Sequence, residues 1–295
     1  MSENKTTINW FPGHMTKAKR MMEENIKLID LVIELVDARV PLSSRNPDID
    51  KMAANKYRIV LLNKSDMADP RATSEWISYF EKQGCITAEI NSKTGAGVKN
   101  IQSLVQAACK EKIEKNLKRG IKNRPIRAMI VGIPNVGKST FINAFVGKAA
   151  TKTGNKPGVT KGKQWIAKGK DLQLLDTPGI LWPKFEDQEV GRRLAFIGSI
   201  NDEIIYTDEL ACDLLEYLKK LYPDSLKDRY GIDSFDLTPV EILKEIALVR
   251  KAILKGKEPD INKAAGILID DFRSGKLGRI SLERPNKKLG GINLA

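Results

Sequence analysis

The chain has 295 residues, 41% of them hydrophobic, enough to bury one sizeable core and a second, smaller one, so two domains are expected. Lysine and arginine number 50 against 37 acidic residues, and the resulting +13 favours a polyanionic partner such as nucleic acid over a merely soluble basic surface. Three cysteines far apart (Cys85, Cys109 and Cys212) and a single histidine exclude a disulfide framework and a zinc set, and the most apolar early run, "LIDLVIELVDA", is broken by Asp30 and Glu34. The expectation is a cytoplasmic protein with reduced thiols and no membrane contact.

In chain order, "LIDLVIELVDA" (28–38), "RIVLLN" (58–63) and "CITAEINS" (85–92) read as strands, separated by the helical "PRATSEWISYFEKQG" and followed by one long helical pattern from Val98 to Lys118. That βαβα rhythm predicts parallel strands covered on both faces. The segment 110–127 carries eight basic and two acidic residues, then Gly120 and Pro125, and reads as a helix end followed by a solvated linker near 119–126. Next come the strand "RAMIV", a glycine-rich turn, the helix "KSTFINAFVG" and two further strands, "QWIAKG" and "LQLLDTPG".

From about Pro183 only helices are expected. In "TDELACDLLEYLKKLY", Leu210, Leu214, Leu218 and Leu221 form one stripe. "TPVEILKEIALVRKAILKG" starts with Thr238 as cap, Pro239 at the first helical position and Glu241 completing a capping box; Ile242, Ile246, Val249 and Ile253 would face the core, with Gly256 ending the helix. "DINKAAGILIDDFRSG" supplies a further helix.

Three motifs carry chemistry. "GIPNVGKS" fits G-x-x-x-x-G-K-[ST] between a strand and a helix: its backbone amides from Asn135, Val136 and Gly137 through Thr140 would close around phosphates, Lys138 would reach the β and γ oxygens, and Ser139 would ligate Mg²⁺. "DTPG" at a strand end would put Asp176 near the Mg²⁺ and the Gly179 amide against the γ-phosphate. "NKSD" separates guanine from adenine, because Asp66 accepts from guanine N1–H and the 2-amino group whereas adenine offers no donor at either position. Asn63, Lys64 and Ser65 complete that loop, and "NSK" (Asn91, Ser92, Lys93) would set the Ser92 amide against guanine O6. The base motif precedes the phosphate loop, the reverse of the usual order.

With "INWFPGHMTKAKR", "DARVPLSSRNP", "NKSD", "GIPNVGKST", "PGVT" and "DTPG" taken together, the chain resembles the bacterial ribosome biogenesis GTPase A family over nearly its whole length. The resemblance implies a circularly permuted P-loop GTPase domain with a mostly parallel six-stranded sheet over 1–182 (an N-terminal extension over 1–25), a helical RNA-binding domain over 183–288, and a tail over 289–295. It implies GTP and GDP as ligands, Mg²⁺ held by Ser139, Thr160 and Asp176, and Thr160 of "PGVT" closing over the γ-phosphate. Asn135 matches an asparagine that helps bind K⁺ in potassium-stimulated GTPases, or simply fits the turn. The implied partner is the large ribosomal subunit precursor and its rRNA, met by a monomer.

Ile180 follows "DTPG" where signalling GTPases carry a water-orienting glutamine, and an isoleucine cannot do that work. His14 is the candidate replacement, with Lys138 and Thr160 as the other catalytic candidates; its competing reading is packing beside Trp10 and Phe11 or contact with a partner. The seven lysines of 148–170 fit either a phosphate-backbone contact or a solvated loop, and the six basic residues of 273–288 fit either an RNA contact or a frayed end. Three functions follow in order of support: a ribosome-timed GTPase, an RNA-binding assembly factor with negligible hydrolysis, and a metabolic P-loop phosphotransferase, which "NKSD" disfavours.

Overall fold

The computed structural model describes residues 8, 10–122, 124–147, 150–151, 164–233 and 236–285. Thr160 with the rest of "PGVT", most of the 148–170 lysines, and 286–295 lie outside the described residues. Among the described residues six strands form one sheet: β1 (Leu31–Asp37), β2 (Tyr57–Asn63), β3 (Ile86–Glu89), β4 (Ile126–Val131), β5 (Gln164–Lys168) and β6 (Leu172–Asp176), in the spatial order β3-β2-β1-β4-β6-β5. All pairings are parallel except β5 with β6. Every residue of β1 is buried, which is why its sequence is a near-continuous apolar run instead of an alternating one.

The chain begins the sheet at its centre. From β1 it winds outward through α2 (Pro47–Met52), β2 and α3 (Pro70–Lys82) to β3, returns through α4 (Ile101–Ala108) and α5 (Lys110–Lys118), and re-enters beside β1 at β4. The second half then runs through α6 (Lys138–Val146) to β5 and β6 on the other side. The β1–β4 boundary is therefore a switch point, and a crevice is expected outside the carboxyl ends of these strands. The long helix expected from Val98 is divided: Cys109, at φ −100° and ψ 13°, leaves helical geometry between α4 and α5 while the flanking i→i−4 bonds persist.

Register decides what meets at the strand ends. Asp37 lies level with Asn63 across β1 and β2, and Ile130 lies level with Asp176 across β4 and β6. An N-terminal helix, α1 (Gly13–Asn25), buries Met15, Ala18 and Met22 against the sheet.

Beyond β6 come α7 (Gln188–Phe196), α8 (Thr207–Leu221), α9 (Pro223–Tyr230), α10 (Pro239–Val249) and α11 (Ile261–Arg273), whose buried Leu214, Leu218, Ile242, Ile246, Leu268 and Phe272 join the core of the sheet. The Thr238–Glu241 capping box forms as the sequence predicts, but α10 ends sooner than expected. Lys251 adopts φ +54°, Ala252 N–H donates to the Ala247 carbonyl at 2.8 Å, and Val249 and Ile253 stand exposed instead of facing the core. The described part of the 273–288 stretch, as far as 285, is packed instead of frayed. It returns to the sheet unit, with Ile280, Leu282 and Glu283 buried.

Candidate functional site

The turn between β4 and α6 wraps its glycines around an open cradle. Gly137 sits at φ +101°, and a Cβ there would lie 2.4 Å from Asn63 Nδ2; a Cβ at Gly179 would lie 2.7 Å from the Pro134 backbone and 2.8 Å from Lys138 Nζ. Both positions admit only glycine, because the backbone of "DTPG" and the side chain of the "NKSD" asparagine press directly on the loop. Lys138 is buried, with Nζ donating to the Gly132 and Ile133 carbonyls at 3.1 and 2.9 Å. Burial pulls its pKa down to about 8, against the opposing charge of Asp176.

Asp176 ends β6 and is buried; among the described residues neither carboxylate oxygen has a hydrogen-bond partner. Burial raises its pKa to about 6, with the Lys138 charge opposing. An orphaned buried carboxylate beside a phosphate loop fits a hard cation, and Mg²⁺ is held largely by phosphates and water with one or two protein oxygens.

Asn63 joins the two halves. Its amide nitrogen donates to the Val136 carbonyl at 2.7 Å, and its oxygen accepts the Ser92 amide at 3.0 Å. The Ser92 amide, which the sequence analysis directs at guanine O6, is thus held by Asn63 in this structure. Asn91 forms an Asx turn, its Oδ1 accepting from the Lys93 and Thr94 amides at 2.9 and 3.0 Å. Lys64 adopts the left-handed conformation, and Ser65 opens a short 3-10 turn that presents Asp66 at the exposed rim.

Asp37 and Arg39, which open the run "DARVPLSSRNP" but carry no role in the sequence motifs, brace this loop together with Lys64. Asp37 is fully buried; Lys64 Nζ pairs with its Oδ2 at 2.9 Å, and Arg39 forks onto both oxygens at 2.9 and 2.8 Å. Burial opposes its ionisation, but the Arg39 and Lys64 charges outweigh that and hold the Asp37 carboxyl well below the usual range. The available signal was positional: an aspartate closing a strand that is apolar but for Glu34, beside the strand that carries "NKSD".

The phosphate loop is also tied to the helical unit. Asn135, at φ +57°, donates from Nδ2 to the Gly198 carbonyl at 2.6 Å, and Ser199 Oγ donates to the Pro134 carbonyl at 2.8 Å. Ser139 and Thr140 lie in the first turn of α6, half-buried. Ile180 is 1% exposed, and its carbonyl accepts from Asn46 Nδ2 at 3.3 Å. His14 is exposed on α1, whose next residue, Met15, accepts the Leu181 amide on its sulfur at 3.4 Å. The helix carrying His14 therefore lies against the segment that follows Gly179.

The carboxyl edge of the sheet thus gathers the "GIPNVGKS" loop and the "NKSD" loop from two halves of a chain joined in inverted order, which is the arrangement of a circularly permuted P-loop GTPase. A family model described as 50S ribosome-binding GTPase matches residues 127–228. Ribosome biogenesis GTPase A of Bacillus cereus is 49% identical over 280 residues, 95% of this chain and 95% of that one. The protein of the same name from Thermotoga maritima is 34% identical over 278 residues, 94% of this chain and 95% of that one. The crystal structure of GNP-bound YlqF from T. maritima matches with a TM-score of 0.67 at 30% identity, covering 92% of this chain and all of that one. The chain belongs to the ribosome biogenesis GTPase A family.

Proposed function

We propose that the chain hydrolyses GTP to time its release from the large ribosomal subunit precursor, whose late assembly it assists in the cytoplasm as a monomer. The observation that carries this reading is Asn63, which bonds the "NKSD" loop to the phosphate loop and so supports reading the two halves as one guanine nucleotide site. The +13 charge and the names of the relatives support an rRNA-rich partner. In this reading 1–182 is the GTPase unit and 183–288 is the RNA-binding unit.

Each residue then has a role. Asp66 reads guanine N1–H and the 2-amino group, with Asn63, Lys64, Ser65, Asn91, Ser92 and Lys93 shaping the base pocket. The backbone from Asn135 to Thr140 and the Lys138 ammonium hold the phosphates, and the Gly179 amide faces the γ-phosphate. Ser139, Thr160 and Asp176 hold the Mg²⁺, which when bound neutralises charge developing on the phosphate oxygens. Asn135, its amide nitrogen fixed by Gly198, offers its oxygen to K⁺. His14 holds the attacking water once a ribosomal partner completes the site.

A second reading, a nucleotide-gated RNA binder with negligible hydrolysis, draws on Ile180, whose side chain is buried away from solvent and cannot orient water. Co-sedimentation with purified large subunits tests the shared part of both readings. Retention with a non-hydrolysable GTP analogue and release with GDP is expected; equal retention in both states contradicts nucleotide-timed binding.

A further inference from the structure

The segment after α11 does more than close the helical unit. Residues 279–284 run along the base-reading loop and bond to it repeatedly. Arg279 Nε donates to the Asp66 carbonyl at 3.2 Å, the Ile280 amide to the Met67 carbonyl at 2.9 Å, and the Asp69 amide to Ser281 Oγ at 3.1 Å. The Leu282 amide donates to the Arg39 carbonyl at 2.8 Å. Glu283 pins the far end: its carboxylate accepts from the Leu42 and Ser43 amides and the Ser43 hydroxyl, and its carbonyl accepts Trp76 Nε1 at 3.2 Å.

Arg39 sits where the three parts converge. Its guanidinium forks onto Asp37, which also pairs Lys64 of the base motif, while Nη1 donates to the Phe272 carbonyl in α11 at 3.2 Å and the group lies 5.1 Å above the Phe272 ring. Arg39 is 1% exposed. A shift of the base loop that moved Lys64 would have to break or drag a buried charge cluster whose other arm is the C-terminal helix, and such clusters do not tolerate partial satisfaction.

We propose that Arg39 is a positioning residue that couples guanine binding to docking of the C-terminal segment 279–284, so that occupancy of the base loop, and not the γ-phosphate alone, reaches the helical unit. This rests on the guanine-nucleotide reading above. By linkage, a partner that lifts 279–284 from Met67 and Arg39 weakens guanine nucleotide binding by the same factor that the nucleotide strengthens docking. The helical unit is thereby a lever on the nucleotide affinity, which a contact with RNA could pull.

Hydrogen exchange at the Ile280 and Leu282 amides of the full chain tests it, measured alone, with saturating GDP, and with inorganic triphosphate, which fills the phosphate loop without a base. GDP should slow exchange at both amides by about fivefold or more, and triphosphate should not. In Arg39→Lys, which keeps a charge near Asp37 but cannot fork and also reach Phe272, the GDP-induced slowing should vanish and GDP affinity should fall by about tenfold. Glu283→Gln, which loosens the segment while leaving Arg39, Asp37 and Lys64 intact, should lower GDP affinity too. GDP binding with unchanged exchange at both amides, or equal slowing by triphosphate, would overturn the inference alone. A chain that does not bind GDP would overturn it together with the nucleotide reading. A merely structural Arg39 would lower thermal stability in the variant and leave the GDP-induced slowing in place.

Discussion

The Asn63 side chain donates to the Val136 carbonyl at 2.7 Å, a contact between the base motif and the phosphate loop across 73 residues of chain. In a permuted chain these motifs lie on opposite sides of the linker near 119–126, so no short connection fixes their spacing. The neighbouring positions of β2, β1 and β4 do that, and Asn63 clamps the result. Asn63→Ala removes this bond and the one to the Ser92 amide, both buried. We expect GDP affinity to fall by about 30-fold or more, from two hydrogen bonds at about 1 kcal/mol each plus the amide left unpaired. Titration with fluorescent GDP measures it, and affinity within threefold of the parent contradicts the clamp.

Base selectivity should reside in Asp66. Replacing it with asparagine puts an N–H donor where xanthine carries a C2 carbonyl, and removes the acceptor that guanine's 2-amino group requires. The variant should bind GTP about 100-fold more weakly and gain affinity for xanthosine triphosphate. Parallel titrations with the two nucleotides give the ratio.

Gly179→Ala tests the closeness of the "DTPG" turn to the phosphate loop. The added methyl would meet the Pro134 backbone at 2.7 Å and Lys138 Nζ at 2.8 Å, so the segment must back away from the γ-phosphate position. Turnover should fall about 100-fold, the scale on which a 1 Å misplacement acts, with GDP binding much less affected. Single-turnover hydrolysis separates the two effects.

His14→Ala should lower kcat on the subunit-stimulated enzyme by 100-fold or more, the usual range for a positioned acid or base, while GTP affinity stays nearly unchanged. The residue lies exposed on a helix whose Met15 touches Leu181 in the segment after Gly179. Unchanged stimulated turnover assigns His14 to surface contact only.

Asp37 gives a pH signature. Its folded pKa is depressed below the ordinary 3.8, so its stabilisation is fully present above that value and is lost as pH falls below it. Thermal unfolding followed from pH 7 to pH 3 should steepen below about pH 4 in the parent. Asp37→Asn leaves Arg39 buried without its carboxylate. It should be destabilised by about 3–5 kcal/mol near neutrality, with the acid slope reduced. Equal slopes in both proteins would show that the acid limb arises elsewhere.

The sheet and its motifs were legible because local signals coincide with what the tertiary structure needs. Apolar runs ending in "NKSD", "GIPNVGKS" and "DTPG" each place a polar turn at a strand's carboxyl end, where a parallel sheet puts its crevice. The inverted motif order was readable too, since crossovers can be cut and rejoined without changing strand neighbours. What escaped depends on long-range contacts. Nothing near Arg39 or Glu283 announces a partner more than 200 residues away, yet Arg39 meets Phe272 and Glu283 meets Ser43. The end of α10 escaped for a different reason. Val249 and Ile253 keep helical apolar spacing, but Lys251 takes the left-handed conformation and the chain turns to pair Ile253 with Pro259.

Steady-state GTP hydrolysis in K⁺ buffer, with and without purified large ribosomal subunits, tests the central claim most directly. Slow turnover alone and strong stimulation by the subunits are expected. Turnover that the subunits leave unchanged, with no nucleotide-dependent binding to them, would contradict it.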